Sequence, residues 1–157
     1  MNRALEAALP KGASVLLDTS VILAYLAGSE PVSPSAAILL DDLVRAGRNP
    51  ATISALTLAE CLVRPFRSSP AAAAAVHAAI SGLPSVTIAD VTPSVAHEAA
   101  RIRARTGLRL PDATILATAT TSAIDHVVAN DARWLSAIEA ARLPLTLCHL
   151  DGLARTP

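Results

Sequence analysis

Along this chain, short runs rich in β-branched residues and leucine alternate with longer Ala/Leu-rich stretches whose apolar positions recur at helical spacing. The short runs lie at 15–17, 51–53, 86–88, 127–129 and 145–147, and each is long enough for one buried strand. The longer stretches predict helices over 35–46, 56–63, 71–81, 94–106, 112–123 and 132–141, with another starting after Asp18 in "TSVILAYLA". Boundary residues agree: Ser54 leads into a helix, Thr92-Pro93 opens the next, and Pro111 suits a first helical turn. Strands alternating with helices predict an α/β fold with a mostly parallel central sheet covered on both faces. In such a sheet, functional side chains gather beyond the carboxyl ends of the strands, where the strand order switches.

The chain has 157 residues, the size of one ordinary domain, and no linker, repeat or low-complexity segment divides it. We therefore expect one domain over 1–157, with residues 1–13 as an N-terminal extension. Hydrophobic residues make up 52% and charged ones 17%, a balance that excludes disorder. With one Trp, one Tyr and one Phe, the core has to be built from Leu, Ile, Val and Ala. The longest apolar stretches are broken by Asp18 or threaded with threonine and fall short of the ~18 residues of a spanning helix. Glu6 and Lys11 interrupt any signal-like run, so a cytoplasmic protein is expected, and Cys61 and Cys148 fit it as buried free thiols.

Thirteen basic and thirteen acidic residues give zero formal charge, which argues against a protein that coats DNA without preference. The basic residues are nonetheless clustered, with Arg101, Arg103, Arg105 and Arg109 in "RIRARTGLR". Arginine forks match phosphate oxygens, while a solvated helix face with Glu98 paired to Arg101 is the more ordinary use of this segment.

Four acids carry the candidate chemistry. Asp18 follows the first strand and Asp131 the fourth; either also suits a helix cap. Asp112 follows Pro111 and also suits a first-turn acid. Glu60 lies in "ISALTLAECLV", among apolar neighbours, where an unpaired carboxylate facing inward is costly. Either it points outward or pairs with Arg64, or it faces a cation shared with the aspartates. Acids gathered at one point repel unless a positive ion is present, and an all-oxygen ligand set selects Mg²⁺ or Mn²⁺ over zinc.

The segments "LLDTSVIL", "ISALTLAECLV", "LRLPDATILATA" and "VVANDARWL" resemble, in this order, the four signature segments of PIN-domain ribonucleases, particularly the VapC-type toxins of bacterial toxin-antitoxin pairs. The resemblance covers nearly the whole chain from Val15 onward. It implies a three-layer α/β/α sandwich around a short sheet, with Asp18, Glu60, Asp112 and Asp131 as metal-site acids and Thr19 and Ser20 as supporting hydroxyls. It also implies a cognate antitoxin and a homodimer. The chain departs from the pattern at Ala129, where the family often has Thr or Ser, and Asn130 is the candidate replacement for that hydrogen bond.

The chemistry this implies is hydrolysis of RNA phosphodiesters assisted by one or two Mg²⁺ or Mn²⁺ ions. Aromatic platforms for stacked bases are scarce, so phosphate recognition has to dominate, with Arg64, Arg67, Arg105, Arg109 and Arg133 as candidates. His77, His97, His126 and His149 are scattered and show no metal or triad spacing. Ser20 and Cys61 lie in no nucleophile-elbow pattern. Aspartyl-phosphate enzymes need a second acid where Ser20 stands and a late lysine, yet the only lysine is Lys11. The alternative of a different class is a PIN-like scaffold that binds or regulates without cutting.

Overall fold

The computed structural model describes residues 3–151. Its sheet consists of β1 (Val15–Leu17), β2 (Ala51–Ser54), β3 (Val86–Ala89), β4 (His126–Ala129) and β5 (Thr146–His149), all parallel and ordered β3-β2-β1-β4-β5. The first strand is therefore central. All three of its residues are fully buried, as expected for a short parallel strand covered on both faces. Their side chains alternate with the period of two: Val15 and Leu17 enter one core, and Leu16 enters the other.

The first core is covered by α1 (Arg3–Ala8), α2 (Thr19–Ala27), α3 (Ser33–Ala37), α4 (Ala55–Ser68) and α5 (Pro70–Ser81). The second is covered by α6 (Pro93–Thr106), α7 (Leu110–Thr121) and α8 (Arg133–Ala141), with Trp134 as its largest buried side chain. Two helical layers enclosing one parallel sheet make the expected α/β/α sandwich. The boundaries are fixed by local chemistry: the Ser54 hydroxyl accepts from Leu56 N at 3.3 Å, and the Thr92 hydroxyl accepts from Val95 N at 3.3 Å.

Three details differ from the sequence reading. The helix expected over 35–46 is α3 followed by a π-helical run at Ile38–Val44, which keeps Leu39, Leu40, Leu43 and Val44 buried. The last strand starts at Thr146, because Leu145 is apolar for burial in the second core and lies outside the ladder. The N-terminal segment is helical and contributes Leu5 and Leu9, both fully buried. Arg48 and Asn49 hold it there. Arg48 donates to the carbonyls of Leu9 at 2.8 Å and Glu6 at 3.2 Å, and Asn49 Nδ2 donates to those of Pro10 and Ala13 at 2.8 and 2.9 Å.

Both cysteines are free and buried. Burial, with Glu60 and Asp18 adding to it, pushes the Cys61 thiol up to about 12, so it is no nucleophile at neutral pH. Among the described residues no helix is long and apolar enough to cross a membrane.

Candidate functional site

The neighbours of β1 arise from opposite directions of winding, which puts the switch in strand order at the carboxyl ends of β1 and β4. Asp18 stands there. Its backbone N still donates to Val128 O on β4 at 2.9 Å, and its side chain caps α2. One carboxylate oxygen accepts from Ser20 N at 3.1 Å and Ser20 Oγ at 2.6 Å. The residue is only 7% exposed. Burial raises its pKa above the ordinary aspartate value; the Ser20 and Thr19 bonds oppose the rise, and the charge of Asp112 adds to it.

Glu60 projects from α4 toward α2, where its carboxylate accepts from Thr19 Oγ1 at 2.5 Å. Thr57, one turn earlier on α4 and fully buried, lies 3.4 Å from the same hydroxyl. Since Thr19 has one proton to give, the shorter contact takes it. No ion pair joins Glu60 to Arg64 among the described residues.

Asp112 lies in the first turn of α7, where Arg109 Nε donates to its carboxylate at 3.3 Å. Asp131 follows β4 and is gripped by Arg133: Nε lies 3.0 Å from both carboxylate oxygens, and the Nη2 contact measures 2.5 Å. Arg133 N donates to Asp131 as well, at 2.9 Å. These bonds to Arg133, assisted by the charge of Arg109, hold the Asp131 carboxyl below its ordinary range.

Asn130 contributes through its backbone. Its N–H donates to Ser20 Oγ at 3.2 Å while that hydroxyl donates to Asp18, so one serine joins the ends of β1 and β4. The Asn130 side chain accepts from Asp151 N at 3.1 Å, tying down the chain after β5. Ala129 is fully buried in the second core and brings no hydroxyl to the site.

The structure thus brings Asp18 and Asp112 into mutual electrostatic range, while Glu60 is bound to Thr19 and Asp131 to Arg133. Among the described residues no three carboxylates, imidazoles or thiols are grouped closely enough to hold one ion. The donors still fit a hard cation. They are all carboxylate oxygens, and Asp18, raised chiefly by burial with the charge of Asp112 adding to it, is in the electrostatic situation that a divalent ion relieves.

The candidate arginines separate. Arg105, Arg109 and Arg133 line one cleft of about 430 Å³ together with Asp112, Leu108 and Ser136. Arg64 lines a different and mainly apolar groove of about 360 Å³ with Leu23, Leu26, Pro65 and Val76, and Arg67 lines neither. Arg101 pairs with Glu98 at 2.5 Å, and Arg103 donates to Leu108 O at 3.1 Å. Sequence reasoning missed Thr57 and the buried hydroxyl pair Thr118 to Ser54, 3.2 Å apart. The signal for Thr57 was its place three residues before Glu60, on the same face of α4.

A scan against family models matches the PIN domain over residues 15–140. No curated protein sequence matches the chain. Among solved structures it is similar to VapBC2 from Rickettsia felis bound to a DNA fragment from its promoter, with TM-score 0.68 and 16% identity over 87% of this chain and 98% of that one. FitAcB from Neisseria gonorrhoeae gives TM-score 0.65 and 23% identity over 87% and 97% of the two chains. VapC20 from Mycobacterium tuberculosis, a toxin that cleaves the sarcin-ricin loop, gives 0.63 and 23% over 78% and 94%. With the family match spanning most of the sequence and the strand-end acids in place, the chain belongs to the PIN domain family.

Proposed function

We propose that this protein is a metal-dependent endoribonuclease and the toxin of a type II toxin-antitoxin pair, acting in the cytoplasm as one PIN domain over 1–157. The observation that carries this reading is Asp18, buried at the switch in strand order and raised by burial and by Asp112. A structural module has little reason to keep such a pair. Asp18, Glu60, Asp112 and Asp131 are the residues to hold one or two Mg²⁺ or Mn²⁺ ions, which when bound supply an acidified water and offset phosphate charge. Ser20 orients the Asp18 carboxylate and Thr19 that of Glu60. Arg105, Arg109 and Arg133 neutralise and position the substrate phosphates in the cleft they share.

The partners proposed are RNA, a second copy of the chain and a cognate antitoxin. The apolar groove between α2, α4 and α5, edged by Arg64, offers the antitoxin a surface, and Leu23 and Leu26 are exposed at 41% and 39%. A second reading, a PIN-like scaffold that binds without cutting, is favoured by the separate tethering of Glu60 and Asp131.

Incubation of the purified protein with total RNA and with single-stranded DNA, in Mg²⁺, Mn²⁺ or chelator, separates the two. Discrete RNA fragments that need the metal and disappear in Asp112→Asn support the nuclease. Intact RNA in both metals supports the scaffold.

A further inference from the structure

Each of two acids at this site is held by an arginine of the same cleft. Arg109 lies on Asp112 and Arg133 on Asp131, and both arginines line the cleft that Asp112 also lines. The arginines are the exposed partners, with side chains 74% and 69% exposed, against 13% and 28% for their acids. The two guanidinium groups share one cleft wall with Asp112, so a ligand that enters the cleft meets both. A cation that ligates these carboxylates has to compete with both guanidinium groups, because an oxygen lone pair given to an arginine N–H is withheld from an ion.

We propose that Arg109 and Arg133 are built-in counter-ions that exchange partners: they neutralise Asp112 and Asp131 before metal loading, and are released by the ion to bind the substrate phosphate. The idea rests on the nuclease reading above and deepens it by coupling metal loading to RNA binding. Two properties of the cleft favour exchange over a fixed structural pairing. Neither ion pair is buried on its arginine side, so solvent screens both, and the single 3.3 Å contact of Arg109 breaks at little cost. The fork that grips the Asp131 carboxylate also matches two phosphate oxygens. Arg101 shows the contrasting case: its Glu98 partner lines no part of the cleft, and its pairing serves the surface of α6.

The test measures Mn²⁺ and RNA binding separately, using the full chain and the variants Arg109→Ala, Arg133→Ala, Arg133→Lys and the double alanine. Mn²⁺ affinity is read by calorimetry without RNA. Removing either competing arginine tightens it by roughly two- to fivefold, the range set by exposed ion pairs, and the double variant tightens it further. A non-cleavable single-stranded RNA, titrated with Mn²⁺ present, moves the opposite way: binding weakens, and its salt slope falls by about 0.7 for each phosphate contact removed. Arg133→Lys, which keeps the charge but loses the fork, lies between wild type and alanine in both assays. A purely structural role moves both affinities downward together, and that result overturns the exchange. Variants that bind Mn²⁺ no more tightly than wild type overturn it too, while leaving the nuclease reading intact. A wild-type protein that binds no Mn²⁺ overturns both.

Discussion

Replacing Asp18 by asparagine asks one atom group to reveal both its cost and its use. The side chain is 7% exposed, and one of its oxygens already accepts from Ser20 N and Ser20 Oγ. Asparagine keeps an oxygen for those two bonds, and its NH2 replaces the second carboxylate oxygen and removes the ionisation. Burial raises the folded pKa above the reference value of 3.8, so the contribution to stability is present below 3.8 and is lost as pH rises through the folded value. Each unit of elevation corresponds to about 1.4 kcal/mol between protonation states. Without metal, Asp18→Asn therefore melts above wild type at pH 7, and the gap closes as pH falls through the carboxyl range. With metal the order reverses. An ion that binds only the folded state at a hundred times its Kd adds about 2.7 kcal/mol. At roughly 2–4 °C per kcal/mol for a chain of this size, wild type gains about 5–11 °C in Mn²⁺. Asp18→Asn shows little of that gain. Thermal unfolding by circular dichroism in chelator and in Mn²⁺, across pH 3 to 8, reads all of this. A metal-free Asp18→Asn protein less stable than wild type at pH 7, with its Mn²⁺ shift intact, refutes the reasoning.

The other predictions concern the frame and the cleft. Asn49→Leu removes the side-chain donor to the carbonyls of Pro10, which keeps Ala13 N, and Ala13, and urea unfolding is expected to show a loss of about 1–3 kcal/mol from the two hydrogen bonds. Thr118→Val removes a buried hydroxyl bonded to Ser54 Oγ and Thr114 O, with an expected loss of about 1 kcal/mol in the same assay. Arg105→Ala is expected to lower the salt slope of RNA binding by about 0.7, whereas Arg101→Ala leaves it unchanged because that side chain is paired with Glu98 outside the cleft.

Much of the frame was legible in the sequence because burial and capping write themselves locally. The β1 run at 15–17, the Ser54 and Thr92 caps and the Glu98–Arg101 pair all lie where periodicity and short-range chemistry put them. The N-terminal helix was less legible, since the segment is tied down by the distant pair Arg48 and Asn49. The same limit applies at the site. Each acid was identifiable one at a time, and the likeness of four segments ordered them. What each acid touches was not readable: Glu60 meets a threonine from α2, forty-one residues earlier in the chain. Asn130 reaches Ser20 through its backbone, because the first turn of α2, which follows the neighbouring β1, brings that hydroxyl to the end of β4. The arginine cluster divided according to which face of α6 and which loop carried each residue, information that spacing alone does not hold.

The central claim is that acids resting on separate partners close around one divalent cation. X-ray diffraction from crystals grown in Mn²⁺, with anomalous scattering recorded, tests it most directly. The account predicts a peak ligated by Asp18 and Asp112, with Glu60 or Asp131 turned from Thr19 or Arg133 to join them. Strong density elsewhere on the surface and none at Asp18, from protein that still cuts RNA in the same buffer, would contradict it.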